Sequence, residues 1–233
     1  MLHKPSRRYG LLGAVCKAIL GVSLAIALLC LLAAQTAQAS HAANGPMTII
    51  ALGDSLSAGY RLPPGASFPE QLKTRLATDG ISVTLINAGV SGDTSTGGLA
   101  RLDWAVGPEA DAVILELGAN DALRGIDPDL TRRNLDAIIT RLKARGIEVL
   151  LAGMLAPPNM GKEYGAAFNR IFPDLAVAHN LVFYPFFLND VASEPSLTLA
   201  DGMHPTRDGV TVIVEGIAPY VHQLISRVQA HRP

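Results

Sequence analysis

Four short stretches carry side chains that could do chemistry together. "ALGDSLSAGY" (51–60) presents Ser55 behind Asp54 on a glycine-bearing turn. "NAGVSGDTST" (87–96) carries Gly92, "ELGAND" (116–121) carries Asn120, and "LADGMHPTRDG" (199–209) carries Asp201 and His204. A serine hydroxyl is a weak nucleophile until a base takes its proton during attack. His204 is the candidate base. Asp201 stands three residues before it, so a tight turn lets the carboxylate hold one imidazole nitrogen while the other faces Ser55. A tetrahedral intermediate also needs donors for its oxyanion. The backbone N–H of Ser55, the backbone N–H of Gly92 and the side-chain amide of Asn120 are the candidates. Gly92 lacks a Cβ, which allows its backbone close to a substrate. Nucleophile, base, orienting acid and oxyanion donors together are the parts of an acyl-transfer site.

Taken singly, each stretch is ordinary turn chemistry. The other histidines are less well placed. His3, His41 and His231 lie near the chain ends, His179 falls at a helix end, and His222 lies within the last helical pattern. Gly53 to Gly59 has neither the spacing of a P-loop nor that of G-x-G-x-x-G. Nor is it the G-x-S-x-G elbow, because Ser57 stands where the second glycine would have to be. No second histidine accompanies His204, and Asp54, Asp93 and Asp121 look like loop-fixing acceptors, so no metal site is expected.

The elements that must position these residues alternate. "MTIIALG" (47–53), "SVTLINAG" (82–89), "DAVILELG" (111–118), "IEVLLAGML" (147–155) and "LVFYPFF" (181–187) are apolar runs of strand length. Between and after them, residues 68–80, 94–106, 128–146, 162–180 and 207–229 read as helices. Gly80 is a helix stop, Gly97 and Gly98 dilute the second helix, Pro173 is expected to kink its helix or start a new turn, and Pro219 marks a break in the last. Strand–helix alternation with strands apolar on both faces implies an α/β fold with a parallel sheet between helical layers. Active sites in such sheets lie beyond the carboxyl ends of the strands. Ser55, Gly92 and Asn120 each follow a strand, and Asp201 and His204 follow the fifth after a loop, so all belong to one edge.

The N-terminus reads differently. Lys4, Arg7 and Arg8 precede an uncharged apolar run at 18–34, and "AQA" ends at Ala39. This is the pattern of a secretory signal peptide over residues 1–39. Cleavage after Ala42 and an uncleaved membrane anchor are the alternatives. Residues 40–46 are expected to be a flexible mature N-terminus, and 47–230 one domain. The chain would be periplasmic or secreted, with no stable membrane insertion after cleavage. Four of the 19 basic residues and none of the 20 acidic ones fall in the first 39, leaving 15 basic against 20 acidic residues. That acidic balance offers nothing to nucleic acid or anionic lipid. Both cysteines, Cys16 and Cys30, lie in the leader, so the mature chain has no disulfide and no thiolate chemistry. A monomer is expected.

"ALGDSLSAGYRL", "NAGVSGDTSTGGLARL", "ELGANDALRGIDP" and "LADGMHPTRDG" resemble the SGNH-hydrolase (GDSL-type) superfamily, nearest its bacterial secreted arylesterase, acyl-CoA thioesterase I and lysophospholipase L1 group. The resemblance runs from about Thr48 to the last helix. It implies a flavodoxin-like three-layer α/β/α sandwich with a five-stranded parallel sheet. It implies Ser55 as nucleophile, Asp201 and His204 as its triad partners, Gly92 and Asn120 with Ser55 as oxyanion donors, and no cofactor or metal. Ala119 departs from the glycine the group often has before the asparagine. In this group the loops after the third and fourth strands shape the acyl site. Leu123, Ile126, Leu155, Pro157, Met160 and Tyr164 are then candidates for an apolar groove, or else simple cover for the sheet edge.

The expected activity is hydrolysis of small-molecule aryl and short-to-medium acyl esters, with acyl-CoA thioesters and lysophospholipids as further substrates, through an acyl-enzyme. The alternatives are a carbohydrate or peptidoglycan O-deacetylase of the same superfamily and a catalytically inactive ligand-binding domain. The first would want sugar-binding aromatics at the cleft, yet the chain has one tryptophan, Trp104.

Overall fold

The computed structural model describes residues 46–231. The signal-peptide reading of residues 1–39, and all of 40–46 except Pro46, lie outside them.

Five strands form one parallel sheet in the order β2-β1-β3-β4-β5. They are β1 (Met47–Gly53), β2 (Val83–Gly89), β3 (Ala112–Glu116), β4 (Glu148–Ala152) and β5 (Val182–Tyr184). Each is an apolar run, and Ile49 to Leu52 and Ala112 to Leu115 are fully or almost fully buried, as strands covered on both faces require. β1 is central. It pairs with β2 from Met47↔Val83 to Gly53↔Gly89, and with β3 from Ile49↔Ala112 to Gly53↔Glu116. The strand order reverses between β1 and β3, and in a doubly wound sheet that switch point is where a crevice opens. Ser55 follows one of these strands and Asn120 the other.

The helices are α1 (Ser55–Ala58), α2 (Phe68–Thr78), α3 (Ser95–Ala100), α4 (Leu102–Ala105), α5 (Ala119–Leu123), α6 (Pro128–Ala144), α7 (Lys162–His179) and α8 (Arg207–His231), with a 3-10 turn at Pro158–Met160. α2 packs with α8 in one layer, and α6 packs with α3 and α7 in the other. The result is the three-layer α/β/α arrangement.

Three features differ from the sequence reading. α7 runs through Pro173 and α8 through Pro219 without ending. A proline inside a helix costs about 3 kcal/mol. Full burial of one large apolar side chain contributes about 1.5–3 kcal/mol. α7 buries Phe168, Ile171, Phe172 and Leu175, and α8 buries Val210, Ile213, Ile217 and Val221 among others, so packing outweighs the break. The 94–106 segment is two helices, not one, parted at Arg101. β3, β4 and β5 also end sooner than their apolar runs: β3 stops at Glu116, and the chain turns into α5.

Candidate active site

Asp54 leaves β1 as the N-cap of α1, its Oδ1 accepting from Leu56 N–H at 2.9 Å. That cap makes Ser55 the first residue of a one-turn helix, where its backbone N–H has no intrahelical acceptor. The serine side chain meets the far end of the chain: Ser55 Oγ lies 2.9 Å from His204 Nε2. His204 Nδ1 lies 2.8 Å from Asp201 Oδ2. The Asp-Gly-Met-His turn is tight. Asp201 Oδ1 accepts from Met203 N–H and His204 N–H, both at 3.0 Å. Those two bonds, the His204 N–H foremost, lower the Asp201 carboxyl to about 2. The Tyr60 ring stands over His204 at 4.4 Å between centroids.

Asn120 opens from the first turn of α5. Its side-chain amide donates to Asp54 Oδ2 at 3.0 Å, which brings it beside the residue preceding Ser55. Gly92 has φ +84°, the left-handed region that favours glycine. Its loop is tied to the end of β1 in two ways. Val90 N–H donates to the Gly53 carbonyl at 3.0 Å. Arg101, with its side chain 9% exposed, donates to Asp93 at 2.6 Å, to the Ala88 carbonyl at 2.7 Å and to the Gly53 carbonyl at 2.9 Å. From the other side, Arg124 Nη2 donates to the Gly92 carbonyl at 2.8 Å.

The three aspartates outside the His204 turn are acceptors, each inside a loop junction. Asp54 is fully buried, and burial raises its carboxyl to about 6 against the opposing bonds from Leu56 and Asn120. Asp93 pairs with Arg101. Asp121, also fully buried, accepts from Ser95 N–H at 2.8 Å, Ser95 Oγ at 2.5 Å and Thr131 Oγ1 at 3.1 Å. It thereby joins α3, α5 and α6. Among the described residues no cluster of His, Cys, Asp or Glu could hold a metal ion.

Of the six apolar candidates, Met160 and Tyr164 line an open pocket of about 530 Å³ with Pro128, Lys162 and Ala167. The Tyr164 hydroxyl donates to the Ile126 carbonyl at 2.9 Å, pinning α7 to the loop after α5. Leu123 and Leu155 are half exposed.

Sequence reasoning passed over Arg101, Tyr60 and Glu116. Glu116 ends β3 fully buried, its Oε2 accepting from Asp54 N–H at 3.3 Å and Ser57 Oγ at 2.8 Å. Gly53 makes room for this contact: a Cβ there would fall 2.2 Å from Ser57 Oγ and 2.6 Å from Glu116 Oε2. A signal was available, since a glutamate closing a strand that is otherwise Ala-Val-Ile-Leu needs a partner for its carboxyl.

Residues 51–212 match the model of the GDSL-like lipase/acylhydrolase family. An arylesterase from Vibrio mimicus is 40% identical over 180 residues, 77% of this chain and 90% of that protein. The thioesterase 1/protease 1/lysophospholipase L1 of Escherichia coli K12 is 38% identical over 180 residues, 77% of this chain and 85% of its own. The crystal structure of TesA superposes with a TM-score of 0.73 at 37% identity, covering 76% of this chain and 99% of that one. By sequence match across most of its length, this chain belongs to the GDSL-like lipase/acylhydrolase family.

Proposed function

We propose that this chain hydrolyses aryl and short-to-medium acyl esters, and thioesters of the same acyl groups, through a Ser55–His204–Asp201 triad and an acyl-enzyme. Family membership makes it a carboxylic ester hydrolase acting on small-molecule esters; the triad, the thioester activity and the substrate range are the proposal. The observation that carries it is the unbroken chain from Ser55 Oγ to His204 Nε2 at 2.9 Å and from His204 Nδ1 to Asp201 Oδ2 at 2.8 Å.

The chemistry follows from that chain. With a proton on Nδ1 directed at Asp201, Nε2 accepts the Ser55 hydroxyl proton as Oγ attacks the substrate carbonyl carbon. The imidazolium so formed lies against a carboxylate that stays ionised. Charge developing on the carbonyl oxygen is met by the N–H groups of Ser55 and Gly92 and the Asn120 amide. The imidazolium then protonates the leaving alkoxide, phenoxide or thiolate. Water, deprotonated by His204, attacks the acyl-Ser55 ester and releases the acid and the free serine.

Residues 1–39 act in this reading as a cleaved export signal, 40–46 as a short mature N-terminus and 47–230 as a monomeric catalytic domain outside the cytoplasm. Among the described residues no helix is long and apolar enough to cross a membrane. N-terminal sequencing of protein recovered from the periplasm or medium checks the cleavage. For the chemistry, Ser55→Ala should abolish hydrolysis of p-nitrophenyl esters with an unchanged circular dichroism spectrum. Activity retained in a folded Ser55→Ala protein sinks the assignment.

A further inference from the structure

The acyl-transfer steps make no use of Glu116, yet its carboxyl lies directly under the nucleophile turn. Its two oxygens are not equivalent. Oε2 takes both donors, the Asp54 N–H and the Ser57 hydroxyl. Oε1 takes none, and among the described residues it is the one buried side-chain oxygen or nitrogen without a hydrogen-bond partner. An ionised carboxylate spreads charge over both oxygens, and each seeks donors. A neutral acid has one carbonyl oxygen that accepts and one hydroxyl. Oε1 has no acceptor for a hydroxyl either, but an unpartnered neutral hydroxyl costs less in a dry site than an unpartnered charged oxygen, so the pattern favours the neutral acid, with Oε2 as the carbonyl.

Asp54 shows the opposite pattern. Its two oxygens each receive an N–H, from Leu56 at 2.9 Å and from Asn120 at 3.0 Å, as an ionised carboxylate would. Two buried carboxyls that feel each other's charge do not both ionise. Burial first, and then the Asp54 charge, push Glu116 well above the usual carboxyl range, outweighing the Ser57 hydroxyl and the backbone N–H groups of Asp54 and Ser57, which pull the other way. Asp54, raised by burial, is drawn back toward ionisation by Leu56, Asn120 and the His204 charge, with Asp93 opposing. The Arg101 guanidinium reaches the intervening Gly53 carbonyl from the α3–α4 junction.

Resting on the reading of Ser55 and Asn120 given above, we propose that Glu116 is a positioning residue: it holds a proton beneath the nucleophile turn, the pair keeps one negative charge on Asp54, and that charge aims the Asn120 amide into the oxyanion site. One Asn120 N–H is held by the carboxylate, a stronger acceptor than a neutral oxygen. The other N–H is left for the substrate. Glu116 thus acts through Asp54, and Asp54 through Asn120.

Infrared spectroscopy of the unmodified protein at neutral pH should show the carbonyl stretch of a buried protonated carboxyl, and Glu116→Gln should remove it. No such band in the unmodified protein overturns the proposal, whatever the variants do. Gln offers a neutral carbonyl to the same two donors, so Glu116→Gln should hold kcat within about threefold while Glu116→Ala loses about tenfold or more. A folded Glu116→Gln protein that loses about 10²-fold, on the scale of a missing oxyanion donor, shows that a charge is needed there and overturns it. Asn120→Ala should cost about 10²–10³ in kcat. Adding Asp54→Asn to it should cost less than about threefold more, because Asp54 acts through the amide already removed. Losses that multiply break the link. Labelling of Ser55 by a fluorophosphonate separates the two readings: no labelling removes the serine mechanism, whereas labelling with a failed cycle removes this proposal alone.

Discussion

Arg101 Nη2 donates to the carbonyl of Gly53 at 2.9 Å, joining the α3–α4 junction to the residue that ends β1. The same guanidinium holds the Ala88 carbonyl near the end of β2 and the Asp93 carboxylate beside Gly92. One side chain therefore sets the spacing between the Ser55 turn and the Gly92 loop, and it does so from the residue at which the two helices part.

Removing Arg101 leaves a nearly buried Asp93 without its partner, a change that typically costs about 3–5 kcal/mol. Arg101→Met should lower the urea midpoint accordingly. Arg101→Lys keeps the charge but not the planar fork, so two of the three contacts are lost. It should regain part of the stability yet still lose about tenfold or more in kcat. A lysine variant with full kcat would show that the spacing of the two loops does not depend on the fork.

Contrast Arg101 with His204. The Asp-x-x-His turn was legible because its partners are three residues apart, and the strand pattern then assigned it an edge. Arg101 and Gly53 are 48 residues apart, and Glu116 and Asp54 are 62 apart. Local spacing carries no sign of such pairs; Glu116 meets Asp54 through the register Gly53↔Glu116, and Arg101 meets Gly53 through the packing of the α3–α4 junction. The five strands could be read because buried parallel strands are nearly continuous apolar runs. α1 and α5 could not, since helices of four or five residues complete barely one turn and show no period. Pro219 misled for another reason: a local rule gave way to tertiary burial.

Asp121 makes a second prediction. It is fully buried and satisfies three donors from Ser95 and Thr131, while Asn134 donates to Ser95 Oγ and Thr96 Oγ1. Asp121→Ala strands those donors, and each buried unsatisfied group costs about 1–3 kcal/mol. Stability should fall by about 2–4 kcal/mol in chemical denaturation. kcat should fall as well, because the neighbouring Asn120 loses its anchored turn. Asp121→Asn retains an acceptor and should fall between. A denaturation midpoint unmoved by Asp121→Ala would show that the network closes without it.

Asp201 yields a pH prediction. The N–H groups of His204 and then Met203 lower its carboxyl to about 2, below the ordinary 3.8. A lowered acid contributes its stabilisation above the ordinary value and loses it as pH falls through the lowered one. Asp201 therefore remains ionised throughout any practical assay, and an acid limb of kcat/KM above about pH 4 belongs to other groups. Asp201→Asn can still accept the two backbone N–H groups, but presents an amide N–H to His204 Nδ1 and favours the wrong tautomer. It should lose on the order of 10³–10⁴ in kcat with little change in thermal midpoint. A variant within tenfold of the parent would remove Asp201 from the triad.

The Glu116 carboxyl gives a stability test that needs no substrate. Its value is raised far above the ordinary 4.5, by burial first and by the Asp54 charge second. Above pH 4.5 the unfolded chain releases this proton while the native state keeps it. The native state then binds more protons, so stability falls as pH rises toward the native value. Glu116→Gln has no proton to lose. Its thermal midpoint, measured against the unmodified protein, should be nearly equal below the ordinary glutamate value and should gain steadily with rising pH. Asp54 titrates in both proteins and cancels to first order. A midpoint difference that stays flat across this range, or that shrinks as pH rises, would mean that Glu116 is ionised in the native state and that the negative charge under Ser55 is not confined to Asp54.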